Sequence, residues 1–208
     1  MKIPLRELEE ARQNPDAYLN KKSNANGLGF NPRSKFRVFV MAIYNFHRSG
    51  NDLSKAQDYL EKGFNKFKSQ KDLIPYIHLL EHYASDFKDS GAVVFKVRDN
   101  ISVPLNSKFK KAGFRLSGEI PRLDITSDGY AAWLFSNKAV DWKNELRLPI
   151  IQGAYAELLN VEIQDIKVNT YDFSQQLENS FQFTKWRITK ARRELNKLLK
   201  MIQNLQKP

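Results

Sequence analysis

The chain has 208 residues and no cysteine, so disulfide frameworks, cysteine nucleophiles and thiolate metal sites are excluded. Its formal net charge of +11 attracts polyanions and indicates nucleic acid as the partner. The acidic, amphipathic N-terminus is unlike a signal peptide, and no apolar run reaches the roughly 18 residues of a membrane span. We therefore expect one cytoplasmic domain that makes no contact with a membrane.

The first 70 residues are predicted to form a helical region. Apolar residues recur every three or four positions over 35–48 and 52–67, as on one face of a helix. Residues 5–20 are also predicted to be helical, and the helix is expected to end around Asn14-Pro15-Asp16. Residues 21–34 contain Asn, Gly and basic residues but no acid, which predicts a basic loop. Its last residue, Ser34, can cap the helix that follows.

From residue 71 to residue 173 the pattern alternates between helix and strand. Helices are predicted at 71–88 and 143–159, and strands at 92–98, 114–125, 130–135 and 163–173. The order is therefore α-β-β-β-α-β. A long last helix at 184–206 carries one apolar and one basic stripe at helical spacing.

Three short sequences lie on this predicted core. Residues 118–124 read Gly-Glu-Ile-Pro-Arg-Leu-Asp, 129–136 form an apolar strand, and 145–156 place Gln152 and Tyr155 about one helical turn apart. Together with the element order they resemble the RecB-like branch of the PD-(D/E)XK nuclease superfamily, which includes CRISPR-associated exonucleases. The resemblance implies a mixed α/β (α+β) fold, in which a helical N-terminal region precedes a restriction-endonuclease-like core and a long C-terminal helix.

The residues that cut nucleic acid in this superfamily are replaced here. In active members two acids and a lysine on the second and third core strands surround a divalent metal such as Mg²⁺. At the matching positions this chain has Pro121, Leu134 and Ser136. Among the strand residues only Asp124 matches. The resemblance therefore implies an inactive nuclease fold with no catalytic residue, no metal and no other cofactor.

An active nuclease with relocated carboxylates is the first alternative. Glu119 is two positions from Pro121 and shares its face of an alternating strand, whereas Asp124 points to the opposite face unless a bulge intervenes. The fallback catalytic set is Glu119, Asp124, Glu145, Gln152 and Tyr155. In this alternative Glu119 and Asp124 would bind Mg²⁺ or Mn²⁺.

Three groups of basic residues are predicted to bind nucleic acid, because lysine and arginine neutralise phosphates and release counterions. The first basic group comprises Lys21, Lys22, Arg33, Lys35 and Arg37. The second, in a predicted turn and the strand after it, comprises Lys108, Lys110, Lys111 and Arg115. The third, on the last helix, comprises Lys190, Arg193, Lys197 and Lys200.

Two aromatic residues lie near these groups. The rings of Tyr18 and Trp186 could stack on bases, but we interpret both as anchors that pack their helices onto the protein. No sequence-specific DNA-binding motif is visible.

The apolar stripe of the last helix has two interpretations. It packs on the chain's own core, or it forms a seam with a protein partner or a second copy of the chain. The family resemblance implies a subunit of a DNA-processing or mobile-element defence complex. A protein-interaction or inhibitor subunit that does not bind nucleic acid is the second alternative.

Overall fold

The computed structural model describes residues 1–25, 34–67 and 70–206. Within them lie eight α-helices: α1 (Leu8–Gln13), α2 (Pro15–Ala25), α3 (Lys35–Arg48), α4 (Leu53–Asn65), α5 (Leu73–Asp89), α6 (Ser107–Lys111), α7 (Arg147–Leu159) and α8 (Lys185–Leu205). The six strands are β1 (Lys2–Pro4), β2 (Val93–Ser102), β3 (Arg115–Thr126), β4 (Gly129–Ser136), β5 (Ile166–Asp172) and β6 (Leu177–Phe181). No helix in these parts of the chain has the length and apolarity that crossing a membrane requires.

All six strands belong to one mixed sheet. The long strand β3 pairs antiparallel with β2 on one side, and on the other side with β1 in parallel and β4 antiparallel. The sheet continues through β5, parallel to β4, to β6, antiparallel to β5. The predicted order of α5, β2, β3, β4, α7 and β5 is confirmed, and α8 follows as predicted.

The N-terminal helices differ from the prediction at one point. The helix expected in 5–20 does end at Asn14, as predicted, but a second helix, α2, begins directly at Pro15. The Asn14 side chain accepts a hydrogen bond from the backbone N–H of Ala17 at 3.0 Å, and proline is well tolerated at a first helical position. Since α2 runs to Ala25, the start of the expected basic loop is helical. The predicted cap of α3 is confirmed, because Ser34 Oγ accepts from the Arg37 N–H at 3.2 Å.

The sheet separates two apolar cores. One core, here the α7–α8 core, contains Leu148, Ile151 and Leu198 together with β-strand residues such as Leu134. The other, here the α3–α5 core, contains side chains from those three helices, together with Trp133 and other sheet residues. Because Trp133 and Leu134 are neighbours on β4, their side chains enter opposite cores, as strand alternation requires.

The alternation of β3 is interrupted at Pro121. Ile120 and Leu123 both pack in the α7–α8 core. On a regular strand, residues three positions apart would lie on opposite faces. Proline has no N–H to give to the ladder. On the neighbouring strand, Arg98 lies between the partners of Ile120 and Arg122, and its φ is +58°. After Pro121, each side chain of β3 therefore points to the face opposite to the one that regular alternation would give it.

Candidate nucleic-acid interface

The apolar stripe of α8 is buried within the chain. Ile188 is 3% exposed, and Ala191, Leu195, Leu198 and Ile202, all at most 4% exposed, belong to the α7–α8 core. The helix begins at a capped residue, since Thr184 Oγ1 accepts from the Arg187 N–H at 3.3 Å. These five residues therefore pack within the chain's own structure, as in the first interpretation, and the face of α8 left outside is the basic one. A protein partner or a second copy of the chain on α8 stays a prediction.

The third basic group lies on that outer face. Lys190, Arg193, Lys197 and Lys200 are exposed, and their spacing of three, four and three places them on one side of the helix. In the described parts of the chain none of the four forms an ion pair. Two acids near α8 are bound to other cations, Glu157 to Arg192 and Glu194 to Arg12. The stripe extends over about 15 Å along the helix axis, a length that corresponds to about four base pairs of a duplex.

Trp186 extends this stripe by one turn, and its interpretation as a helix anchor is wrong. Its residue exposure is 70%, and Lys190 Nζ lies 5.5 Å from the ring centroid. An exposed indole beside unpaired cations has the form of a stacking platform for bases. We call Trp186, Lys190, Arg193, Lys197 and Lys200 together the α8 basic face.

Tyr18, the other aromatic residue considered, is an anchor as expected. It is 1% exposed and belongs to the α7–α8 core. Its hydroxyl donates to Glu7 at 3.2 Å. Burial, with a contribution from Glu7, raises the pKa of Tyr18 well above its usual range.

The second basic group adjoins the C-terminal end of α8. The residues expected in a turn form the short helix α6, and its lysines are exposed with Arg115 beside them. Met1 connects the two places, because its ammonium group donates to Gly113 O at 2.7 Å and its sulfur accepts from Gln206 Nε2 at 3.6 Å. Lys2 adds a further exposed cation, next to Arg115 in the ladder.

The first basic group is largely neutralised by acids. Lys21 pairs with Glu10 and Lys22 pairs with Glu7, each at 2.7 Å. Lys35 pairs with an acid as well, Asp72. Arg37 is exposed at the start of α3, and Arg33 lies outside the described residues.

The three positions predicted to correspond to a metal site do not carry side chains that suit a divalent ion. Leu134 is buried in the α7–α8 core, and Pro121 offers no ligand atom. The Ser136 hydroxyl is already engaged, since it donates to Lys138 O at 2.7 Å and accepts from Lys138 N at 3.2 Å. No group of three His, Asp or Glu side chains suited to a metal occurs among the described residues.

The fallback carboxylates on β3 share a face but not a site. Because alternation is interrupted at Pro121, Asp124 points to the same side as Glu119, and the expectation of opposite faces is wrong. Glu119 accepts from Tyr44 at 2.9 Å and from Arg98 Nε at 2.7 Å. Asp124 has separate partners.

Asp124 is fully buried in an ion pair. Its Oδ2 accepts from Arg122 Nη2 at 2.9 Å and from Trp133 Nε1 at 2.7 Å. Burial raises the pKa of Asp124 above its ordinary value, against the lowering effect of Arg122. The Arg122 guanidinium lies against the Trp133 ring, 4.1 Å from its centroid, and Arg122 Nη1 donates to the Tyr83 hydroxyl.

The remaining fallback residues have structural partners. Glu145 forms an ion pair with Arg147, and burial raises the pKa of Glu145. The Gln152 amide donates to Ile163 O at 2.9 Å and accepts from Phe183 N at 2.7 Å, which ties two loops to α7.

Tyr155 is held in yet another environment, on the opposite side of the sheet from Asp124. Its hydroxyl donates to Asp99 Oδ2 at 3.0 Å, and Lys96 Nζ lies 3.6 Å from the same carboxylate oxygen. Asp99 and Lys96 were not predicted as site residues. The structure therefore does not bring the fallback set of five residues together.

Sequence reasoning also missed the arginine that accompanies Asp124. Arg122 and Asp124 lie two positions apart in an otherwise apolar stretch of β3. Such a pair shares one face of a strand, so a buried ion pair was readable from the spacing.

Comparisons with known proteins give little beyond this description. No known protein family matches the chain, and no curated protein matches its sequence. Among solved structures, the chain is similar to one described as "Crystal structure of SSO0001". That structure is 10% identical, the match covers 89% of this chain and 85% of that chain, and the two superpose with a TM-score of 0.34.

Proposed function

We propose that this protein binds nucleic acid along the α8 basic face and does not cleave it. The observation that carries the proposal is the unpaired stripe of Lys190, Arg193, Lys197 and Lys200. Cations without acidic partners keep their charge available for phosphates, and binding gains from the release of condensed counterions. The net charge of +11 adds long-range attraction for the same partner.

The position of Trp186 favours single-stranded nucleic acid. Its exposed ring stands at one end of the stripe, where an unstacked base can lie on it while the phosphates follow the cations. A base inside a duplex is already stacked on both sides and cannot use the ring in this way.

The proposal includes a RecB-like nuclease core that has lost its metal site. The element order from α5 to β5 supports it, as do the side chains at the three matching positions, none of which is a carboxylate or a lysine. The family resemblance extends the proposal to a role within a DNA-processing or mobile-element defence complex in the cytoplasm.

The test is a binding titration of labelled oligothymidylate of about 20 nucleotides, followed by fluorescence anisotropy. The variant carries Lys190→Gln, Arg193→Gln, Lys197→Gln and Lys200→Gln. We expect its affinity to fall at least tenfold at about 50 mM salt, and the slope of log K against log salt to flatten by about three. Trp186→Ala should weaken single-strand binding more than duplex binding.

A matched control removes the same number of charges elsewhere. Lys62→Gln, Lys66→Gln, Lys71→Gln and Lys88→Gln alter exposed lysines on the α3–α5 side of the sheet that form no ion pair in the described part of the chain. If the control loses as much affinity as the α8 variant, the oligonucleotide binds through the overall positive charge of the protein and not through the α8 basic face. Cleavage of the oligonucleotide in Mg²⁺ or Mn²⁺ would contradict the non-cleaving part of the proposal.

A further inference from the structure

A cavity of about 150 Å³ lies on the side of the sheet opposite to α8. It opens between α5 and strands β3 to β6. Its walls are aromatic and its polar groups are charged; they include Tyr83, Phe87, Arg122, Asp124, Trp133 and Tyr171. A cavity of about this volume holds a molecule the size of benzene.

The charges that line this cavity are mostly negative, in contrast to the rest of the protein. Asp86, Asp124 and Glu178 contribute carboxylates, and Arg122 contributes the single guanidinium. Glu178 is held by β6 at the rim. Burial raises its pKa against the lowering effect of Arg122, and Asp86 and Asp124 add to the rise, so the three acids and Arg122 share one electrostatic environment.

Two buried polar atoms of the cavity have no partner within the described residues. They are Asp124 Oδ1 and Arg122 Nε, on side chains that are 1% and 3% exposed. Buried polar groups are almost always hydrogen-bonded, so an unpaired acceptor on a cavity wall indicates a place for a donor. Asp124 is itself one of the residues that line the cavity.

The walls already hold one planar cation. The Arg122 guanidinium lies 4.1 Å from the Trp133 ring centroid, 4.9 Å from that of Phe87 and 5.5 Å from that of Tyr83. Aromatic faces attract cations through their negative quadrupole. A second acid, Asp86, has its Oδ2 held by the Tyr171 hydroxyl, which donates to it at 2.8 Å, and by His82 Nδ1 at 3.0 Å, so its Oδ1 is left for a ligand.

We infer that this cavity binds a small organic cation, a guanidinium or protonated amine of no more than about six non-hydrogen atoms. Its N–H groups would donate to Asp124 Oδ1 and to the carboxylates of Asp86 and Glu178, and its charge would offset their excess. The site is independent of the α8 basic face, which lies on the other side of the sheet.

The probe is methylguanidinium, and its uncharged isostere methylurea is the control for shape. Isothermal titration calorimetry at constant ionic strength should detect one methylguanidinium per chain and no methylurea. No heat from methylguanidinium, or equal binding of methylurea, would overturn the inference.

Variants locate the site. Glu178→Gln keeps the size and shape of the side chain but removes its negative charge. It should weaken methylguanidinium binding by about tenfold. The matched control is Glu61→Gln, which alters an exposed residue of α4. This variant should bind methylguanidinium as the wild type does. Binding that survives Glu178→Gln and Asp86→Asn without loss would place the cation elsewhere and refute the proposal.

The two proposals can be refuted independently of each other. The variant with four α8 cations replaced should bind methylguanidinium normally, and Glu178→Gln should bind oligothymidylate normally.

Discussion

Single residues determine which side of the sheet each charge occupies. The sequence shows Glu119 and Asp124 five positions apart, and regular alternation separates them. Pro121 interrupts the ladder, so both carboxylates lie on the α3–α5 side. Local patterns do not reveal such a shift, because it depends on the paired strand, where Arg98 adopts a positive φ. The absence of an acid or a lysine at Pro121, Leu134 and Ser136, by contrast, was readable from the sequence alone.

His47 is a second residue whose role depends on its surroundings. It is buried, with Nε2 at 2.7 Å from the Tyr83 hydroxyl and Nδ1 at 3.0 Å from Asn51 Oδ1. Burial, reinforced by the charge of Arg122, lowers the pKa of His47 to about 3. The folded protein therefore keeps this imidazole neutral at pH values where the unfolded chain protonates it.

This difference predicts a loss of stability in acid. Between the unfolded pKa of 6.5 and the folded pKa of about 3, the unfolded state binds one more proton at this site. The free energy of unfolding should therefore fall as pH falls through this window, by up to about 1.4 kcal/mol per pH unit from His47.

Urea unfolding of wild type and His47→Gln at several pH values between about 4 and 7.5 measures the effect. The variant should lose less stability than the wild type on acidification, so that the two curves converge. Carboxylates with raised pKa, such as Asp124, affect both proteins alike and cancel in the comparison. Parallel curves would show that His47 does not titrate as described.

Among the elements, α8 was the most predictable and the short ones the least. Its apolar residues recur at helical spacing, and its observed ends differ from the prediction by one residue each. β1 has three residues and pairs with the start of β3, which lies more than a hundred positions away in the chain. Because tertiary pairing creates such elements, neither β1 nor β6 leaves a local signal.

The contact between α7 and α8 gives a prediction at this scale. A Cβ added at Gly153 would lie 2.8 Å from Ile188 Cγ2, so the two helices approach too closely for a side chain there. Gly153→Ala should destabilise the protein, even though alanine is favoured over glycine within a helix by about 1 kcal/mol.

In the Ile188→Ala background the obstructing methyl group is absent. There the same glycine substitution should be neutral or stabilising, and thermal unfolding of the four proteins of this cycle measures the coupling. Additive effects in the cycle would contradict a clash at this contact.

Across the whole molecule, the positive charge is unevenly distributed. Composition correctly indicates a basic protein, but it cannot show which cations are paired. The first basic group meets Glu7, Glu10 and Asp72 through folding, while the second and third remain unpaired within the described residues. The acidic cavity occupies the opposite side of the sheet. Proximity of the second group to α8 was not predictable, because Met1 and Gln206 bring the chain ends together.

This arrangement predicts that the second basic group extends the α8 basic face. Lys108→Gln, Lys110→Gln and Lys111→Gln together should weaken binding of a long oligonucleotide but leave a short one, of about four nucleotides, unaffected. The anisotropy titration used for α8 compares the two lengths. Equal loss for both lengths would mean that the two groups do not form one continuous track.

The edge strand β2 has a consequence for copies of the protein bound side by side. Among the described strands it pairs only with β3, so its other edge carries backbone groups that another chain could use. Phe95 is 46% exposed on it. The register shift between Val94 and Lys96 and the left-handed Arg98 break the run of evenly spaced backbone groups on this edge. Two copies of the protein are thus hindered from joining edge to edge into a shared sheet.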